Sequence, residues 1–298
     1  MTNNPDAVPR EVYLLLAFLI VFWGLNWPIM KIGAAEINVF SFRALNVLVS
    51  GFGFLLIARL RKRRITPTRR DWKGILPVAL ISVAGWNALI LFGLSLMDSG
   101  RAAILGYTMP LWATAISFLI LKTRVTGRQV IGLALGLGAM TLLLFQDLEV
   151  LEQAPFGTLI CVAAALCWAV TTVYLRHFGF SLATSSLSFW FNILAVLPLA
   201  VLAFMFDDTD WPAVSWQAWG ALAYNMVIAG CFCFYAYNRI ATIVPVVVSS
   251  VSTLIVPVAG VFFGAVLLSE EPGIFEFGAL ALVLLAVGSV ILPSAKRE

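Results

Sequence analysis

Charge is scarce in this 298-residue sequence: Asp, Glu, Lys and Arg make up 11% of it, and histidine occurs once, as His177. Soluble domains carry about a quarter charged residues, so a water-covered surface of ordinary extent is excluded. Cys161, Cys167, Cys231 and Cys233 show no CxxC spacing and no companion histidine cluster. Neither a zinc site nor a redox pair is therefore expected, and the four read as small packing residues. There is no glycine-rich phosphate loop, which argues against an ATP-driven pump. Nor is there a nucleophile, base and orienting group in one pattern, which argues against an intramembrane enzyme. His177, beside Arg176 at a helix end, reads as solvated. No catalytic residue, metal or cofactor is expected.

Apolar residues fill the space: 61% of the chain is hydrophobic and 13% aromatic. They fall in blocks of about twenty, the length an α-helix needs to cross about 30 Å of hydrocarbon. Helices, and not barrel strands, are implied. The blocks are 12–33, 38–59, 74–96, 100–121, 127–145, 156–176, 182–205, 215–237, 242–268 and 274–292. The first contains Trp23, Asn26, Trp27 and Pro28 without a small-residue cleavage signature, so it is expected to stay as a helix.

Alternate loops separate the charges. One side holds Arg10, then Arg59, Arg61, Lys62, Arg63, Arg64, Arg69, Arg70 and Lys73, then Lys122, Arg124, Arg128, Arg176, Arg239, Lys296 and Arg297, which is 16 of the 19 basic residues. The other keeps Lys31, Arg43 and Arg101 but collects 11 acids, from Glu36 and Asp98 to Glu270, Glu271 and Glu276. Basic residues stay on the cytoplasmic side of short loops. The expected fold is an all-α membrane protein of ten transmembrane helices with both termini cytoplasmic. The basic run from Arg59 to Arg70 is read as this orientation signal, and no nucleic-acid partner is expected.

Two five-helix halves, 1–148 and 149–298, overlay weakly but with consistent spacing. An offset of about 145 brings Trp23 onto Trp168, Lys31 onto Arg176 and Ser41 onto Ser186, and an offset of 147 brings Pro110 onto Pro257. Five is odd, so the second half enters the membrane in the opposite sense. Such an inverted repeat supports alternating access around a site near the midplane. Pro110 and Pro257 are candidate hinges, with a static bend as the alternative. Gly132-x-x-x-Gly136 and Gly260-x-x-x-Gly264 suit close helix packing.

The stretch Phe22-Trp23-Gly24-Leu25-Asn26-Trp27-Pro28, followed by Lys31 and Phe42-Arg43, resembles the start of the drug/metabolite transporter (DMT) superfamily, EamA-like branch. Pro257-Val258, Gly264 and Leu268-Ser269-Glu270-Glu271, before a Gly/Ala-rich last helix, resemble the end of its second repeat. The likeness covers essentially the whole chain, and the branch suggested is the YddG-type bacterial exporters of aromatic amino acids. It implies a multi-pass protein of the bacterial inner (plasma) membrane that exports a small solute. One departure is Lys122-Thr123, where the family carries an acidic residue after the fourth helix.

Trp72, Trp211, Trp216 and Trp219 fall near span ends, where interfacial aromatics are ordinary. Trp23, Trp86, Tyr107, Trp168 and Trp190 fall in span interiors beside Asn26, Asn87, Thr108, Thr171 and Asn192. A buried amide in hydrocarbon needs a partner or a wet cavity. The substrate-binding candidates are Trp23, Asn26, Trp86, Asn87, Tyr107, Trp168, Thr171 and Trp190, with packing between helices as the alternative for each. A pocket of aromatics and amides suits a solute with an apolar body and a polar head, such as an aromatic or other neutral amino acid. A nucleotide sugar, an organic phosphate and a toxic organic compound are the alternatives within transport, and the anions among them would call for a basic cluster in the cavity. A channel would carry a more continuous polar stripe. No Asp or Glu lies mid-span, which disfavours a carboxylate-centred proton antiporter. Lys31, Arg43 and Arg101 are set near the outer ends, to snorkel or to attract a substrate carboxylate. A monomer in the bilayer is plausible, and the oligomeric state is left open.

Overall fold

The computed structural model describes residues 10–121, 127–150, 154–243 and 255–291, and all regular structure among them is helical. In chain order the helices are α1 (Arg10–Ala34), α2 (Val39–Leu60), α3 (Arg69–Ser95), α4 (Ser99–Gly106), α5 (Met109–Leu121), α6 (Gly127–Val150), α7 (Ala154–Phe178), α8 (Thr184–Phe206), α9 (216–243), α10 (Ile255–Leu268) and α11 (Ile274–Ile291). Among the described residues seven stretches are long and apolar enough to cross a membrane, and Val130–Ala139, Ile255–Leu268 and Ile274–Ser289 are shorter apolar helices. Expectations for the two termini, for Lys122-Thr123 and for the start of the ninth predicted span lie outside the described residues.

Large apolar side chains face outward on most of these helices, among them Phe18, Phe52, Ile81, Leu197, Phe262 and Leu285, and Phe204 is 92% exposed. Water would penalise such a surface, whereas lipid tails match it. Inside, α2 packs most extensively on α8, and α6 on α11. Helix α1 lies along α9 and α10, while α7 lies along α3, α4 and α5.

The structure departs from the predicted spans where polar residues begin or interrupt a helix. Helix α3 starts at Arg69, five residues before its apolar block, because Thr68 and Asp71 form a reciprocal capping box. The fourth predicted span is broken: α4 ends at Gly106, Thr108 turns back so that its hydroxyl donates to the Leu105 carbonyl at 2.6 Å, and Pro110 is the second residue of α5. Proline fits there, since a first-turn N–H has no helical partner to lose. Pro257 lies within α10, which is described from Ile255 onward. Both α3 and α9 contain a π-helical stretch, Val78–Val83 and Asn225–Cys233, where one extra residue per turn displaces backbone carbonyls from their normal partners.

Helix ends are pinned by side chains from the other half of the chain. Asp71, 1% exposed, accepts from the Thr68 amide and hydroxyl at 2.8 and 2.7 Å and from the Ser181 amide and hydroxyl at 2.9 and 2.5 Å. At the opposite end of the helices, Glu36 accepts from the Ser215 amide and hydroxyl at 2.7 and 2.6 Å, and Ser215 caps α9. The Ser41 hydroxyl donates to Asp207 just past α8, and the Ser186 hydroxyl donates to the Arg64 carbonyl just past α2.

Asp71→Ala strands four donors at once and removes the carboxylate half of the capping box of α3, while Thr68 remains its N-cap. It is expected to lower unfolding stability in detergent by about 2–4 kcal/mol, and Asp71→Asn by clearly less. Chemical unfolding of the two variants beside the parent measures the difference.

Candidate solute site between α1, α2 and α9

One face of α2 carries Arg43, Asn46, Ser50 and Phe54, at steps of three and four residues that place them in a single stripe. The stripe runs about 16 Å along the axis at 1.5 Å per residue and faces the π-helical stretch of α9. An Nη of Arg43 lies 3.4 Å from Asn225 Oδ1, the Ser50 hydroxyl lies 3.4 Å from the Met226 carbonyl, and the rings of Phe54 and Phe234 meet edge-on at 5.9 Å.

Helix α1 completes the polar end. Asn225 donates to Asn26 Oδ1 at 2.6 Å, Asn26 turns its own amide towards the Met30 sulfur, and the other Arg43 Nη donates to that sulfur at 2.8 Å. Arg43, Asn46 and Asn225 are 6%, 7% and 2% exposed. Deeper, Phe234 is the hub of an aromatic cluster: Trp23 at 5.5 Å, Phe54 at 5.9 Å and Trp168 at 6.2 Å, with Trp86 a further 5.1 Å from Trp168. Tyr237 lies 5.9 Å from Trp23, and the Trp23 indole donates to the Ala229 carbonyl in the π-helical stretch at 3.4 Å.

The structure thus brings Trp23, Trp86 and Trp168 into one cluster and sets Asn26 one turn beyond Trp23. Tyr107 packs on the same apolar cluster as Trp23 and Tyr237 and lies 6.3 Å from Trp27. Asn87 and Thr171 are not drawn across: each bonds back to its own helix, Asn87 to the Val83 carbonyl at 2.9 Å and Thr171 to the Cys167 carbonyl at 3.4 Å. Asn192 does the same to Ser188 at 2.8 Å. Trp190 stands apart, its indole donating to the Ile65 carbonyl at 2.8 Å and its ring against Trp72 at 4.9 Å, under the loop that follows α2. The residues the sequence reading missed are Asn46, Ser50 and Phe54 on α2 and Asn225 and Phe234 on α9. Asn225 is an amide in the apolar run Ala221–Ala229, and that was its visible signal.

The end where α1 finishes is closed by ion pairs. Lys31 lies 3.1 Å from Asp98 and 3.0 Å from Glu270. Glu270 also accepts from the Ser99 and Gly100 amides at 2.7 and 3.2 Å and from the Ser99 hydroxyl, so it caps α4 from the far end of α10. Ser269, with φ 54°, supplies the left-handed turn that swings Glu270 back. Arg101 pairs with Glu276 at 2.9 Å. Lys31, Glu36, Asp98, Glu270 and Glu271 line an open depression of about 710 Å³ above these contacts.

A polar-to-aromatic seam thus runs between helices from both halves of the sequence, with salt bridges at one end, an arrangement suited to a membrane transporter. Comparison with known proteins agrees. The EamA-like transporter family matches residues 11–145 and again residues 155–292. The chain belongs to that family. Its members are transporters, not enzymes. The chain is 24% identical over 262 residues to the transporter YoaV of Bacillus subtilis (strain 168), covering 88% of this chain and 90% of that protein. It is 25% identical over 294 residues to the transporter YetK of the same organism, covering 96% and 87%. A protein of Salmonella typhimurium (strain LT2) named "Probable amino-acid metabolite efflux pump" is 22% identical over 205 residues, covering 67% and 66%. A crystal structure superposes with a TM-score of 0.66 at 19% identity, covering 93% of this chain and 95% of that chain, and so shares the fold.

Two carboxyls of the capped end titrate low. Glu36 is held below its ordinary 4.5 by the hydroxyl and amide of Ser215. Partial burial raises Asp207, but bonds from Thr209, Ser41 and Trp211 outweigh it and hold the group below its ordinary 3.8. A depressed folded-state value means that both contacts stabilise the fold above the unfolded values and weaken as pH falls through the folded ones. Thermal stability of the purified protein should therefore fall with acidification below about pH 4.5. Glu36→Gln and Asp207→Asn should flatten that dependence while costing stability at pH 7. An unchanged acid limb in the double variant would refute the assignment.

Proposed function

We propose that the chain exports small amphipathic solutes, best aromatic and other neutral amino acids, across the bacterial inner membrane by alternating access. The observation that carries this reading is the Trp23–Trp86–Trp168–Phe234 cluster set beside the Asn26–Asn225 amide pair. Aromatic faces suit an aromatic side chain, and buried amides suit a polar head. The name of the Salmonella relative, an amino-acid metabolite efflux pump, points the same way. The basic groups near the capped end are paired with acids at Lys31 and Arg101, which leaves no clustered charge there for a nucleotide sugar or organic phosphate.

The proposed frame is ten crossings in two inverted five-helix repeats, 1–148 and 149–298, with both termini cytoplasmic. Corresponding features at opposite ends support it. Thr68 and Ser215, 147 residues apart, cap α3 and α9, and each of those caps is tied to the preceding loop of the other half through Ser181 or Glu36. Ser41 and Ser186, 145 apart, make equivalent bonds past the end of the facing helix. The π-helical stretches begin 147 residues apart. Rocking of one half on the other, with Pro110 beside the break between α4 and α5 and Pro257 within α10, would expose the seam to either side in turn.

Counterflow in proteoliposomes tests the substrate class. Trp86→Ala and Trp168→Ala, at matched folding and insertion, are expected to weaken exchange of phenylalanine or tryptophan several-fold, about 0.5–1.5 kcal/mol beyond the area lost, and to change alanine exchange little. Equal loss for every solute would mean packing alone.

Orientation has its own test. Position 63 is exposed after α2, and a cysteine placed there should react with an impermeant thiol reagent only once the cytoplasmic face is opened. Labelling in intact cells would refute both-ends-inside topology.

A further inference from the structure

Arg43 is the anomaly of the seam. The residue is 6% exposed, yet no carboxylate meets its guanidinium among the described residues; its neighbours are an amide oxygen and a thioether. Among the described residues its Nε has no partner, nor has Nδ2 of Asn46, one turn further along the same stripe and 7% exposed. Residues 244–254, the segment between α9 and α10 that is not described, contain no Asp or Glu. The other two basic residues of this end are neutralised, Lys31 by Asp98 and Glu270 and Arg101 by Glu276.

An arginine stays charged in proteins, and a buried charge without a counter-ion is among the costliest arrangements a fold can hold, more so within a membrane span. A packing residue would not need a guanidinium here: leucine or methionine fills that space without the penalty. The stripe offers surplus donors and few acceptors. Arg43 Nε and Asn46 Nδ2 are unused, and the sulfur of Met30 is a weak acceptor. What such a site lacks is an anion with two acceptor oxygens, which a guanidinium binds in a fork.

We propose that Arg43, with Asn46 beside it, is an anion subsite that receives the carboxylate of the transported solute. The proposal rests on the transport reading above and deepens it by placing the solute's charged end. The carboxylate sits against α2 at the Arg43 end of the stripe, and the apolar body points along the stripe towards Phe54, Phe234 and Trp23. Binding supplies the missing counter-ion, so the loaded seam is electrically more comfortable in the membrane than the empty one. A solute lacking the carboxylate leaves the guanidinium bare and is rejected.

The test is inhibition of phenylalanine counterflow by compounds that share its ring. Phenylalanine and 3-phenylpropionate keep the carboxylate; phenylalaninamide and phenylethylamine lack it. Full-length protein in liposomes is expected to take the two carboxylates at least about tenfold more tightly than the other two, the scale of a hydrogen-bonded charge pair. In Arg43→Gln that preference should collapse to within about twofold, chiefly by loss of the carboxylates. Arg43→Lys, which keeps the charge without the fork, should retain an intermediate preference and serves as the decisive variant if Arg43→Gln does not run as a folded species on size exclusion.

Equal affinity for acid and amide in the parent, or an intact preference in a folded Arg43→Gln, overturns the subsite while aromatic transport stands. Exchange confined to alanine or lactate and lost in Arg43→Gln would uphold the subsite and remove the aromatic reading. No response to any carboxylate would overturn both.

Discussion

Hydrocarbon offers no hydrogen bonds, and that constraint orders everything else in this chain. Helices satisfy their own backbones, so an all-helical architecture follows once the apolar blocks exceed the span of a bilayer. Side chains are then sorted by whether they too can be satisfied. Thr171, Asn87 and Asn192 turn back onto the carbonyls of their own helices. Asp71, Glu36, Asp207 and Glu270 sit at helix ends, where amides and hydroxyls are free to meet them. Asn26, Arg43, Asn46 and Asn225 can do neither, and they meet on the α1–α2–α9 seam.

The π-helical stretch of α9 is the local device that makes the seam. Widening the helix by one residue per turn moves carbonyls out of line, and Ala229 and Met226 then face the Trp23 indole and the Ser50 hydroxyl. Across the seam α2 carries a polar residue or an aromatic ring at every matching step. Helix pairs related by the proposed repeat share the load: α2 with α8, α6 with α11, and α1 and α7 each lodged among helices of the other half. The capped end differs from the rest because Lys31 and Glu270 tie together the ends of α1, α4 and α10.

The all-helical architecture was legible in the sequence, because hydropathy is read by the membrane itself. The apolar blocks located the helices, and tryptophans with a tendency to sit mid-span pointed to the cluster formed by Trp23, Trp86 and Trp168. What sequence hid was direction. An amide at position 87 and one at position 26 look alike in a string, yet the first faces its own turn and the second faces another helix. Trp190 is mid-span by counting, but the loop after α2 folds over that end of α8 and its Ile65 carbonyl accepts a hydrogen bond from the indole N–H. Helix α3 began early because a capping box, which hydropathy does not see, starts it at Arg69. Asn225 and Phe234 gain their roles from the π-helical stretch, whose register no periodicity in the sequence announces.

The central claim is that the stripe from Arg43 to Phe54, facing α9, is where the solute resides. Ser50 lies in the middle of it. With the four native cysteines replaced and a single cysteine placed at position 50, alkylation by a small maleimide in proteoliposomes reports access to the stripe. The account predicts slow but measurable labelling that phenylalanine, and not phenylalaninamide, suppresses in a concentration-dependent way. Labelling at the same rate with and without phenylalanine, in a preparation that exchanges phenylalanine, would contradict it.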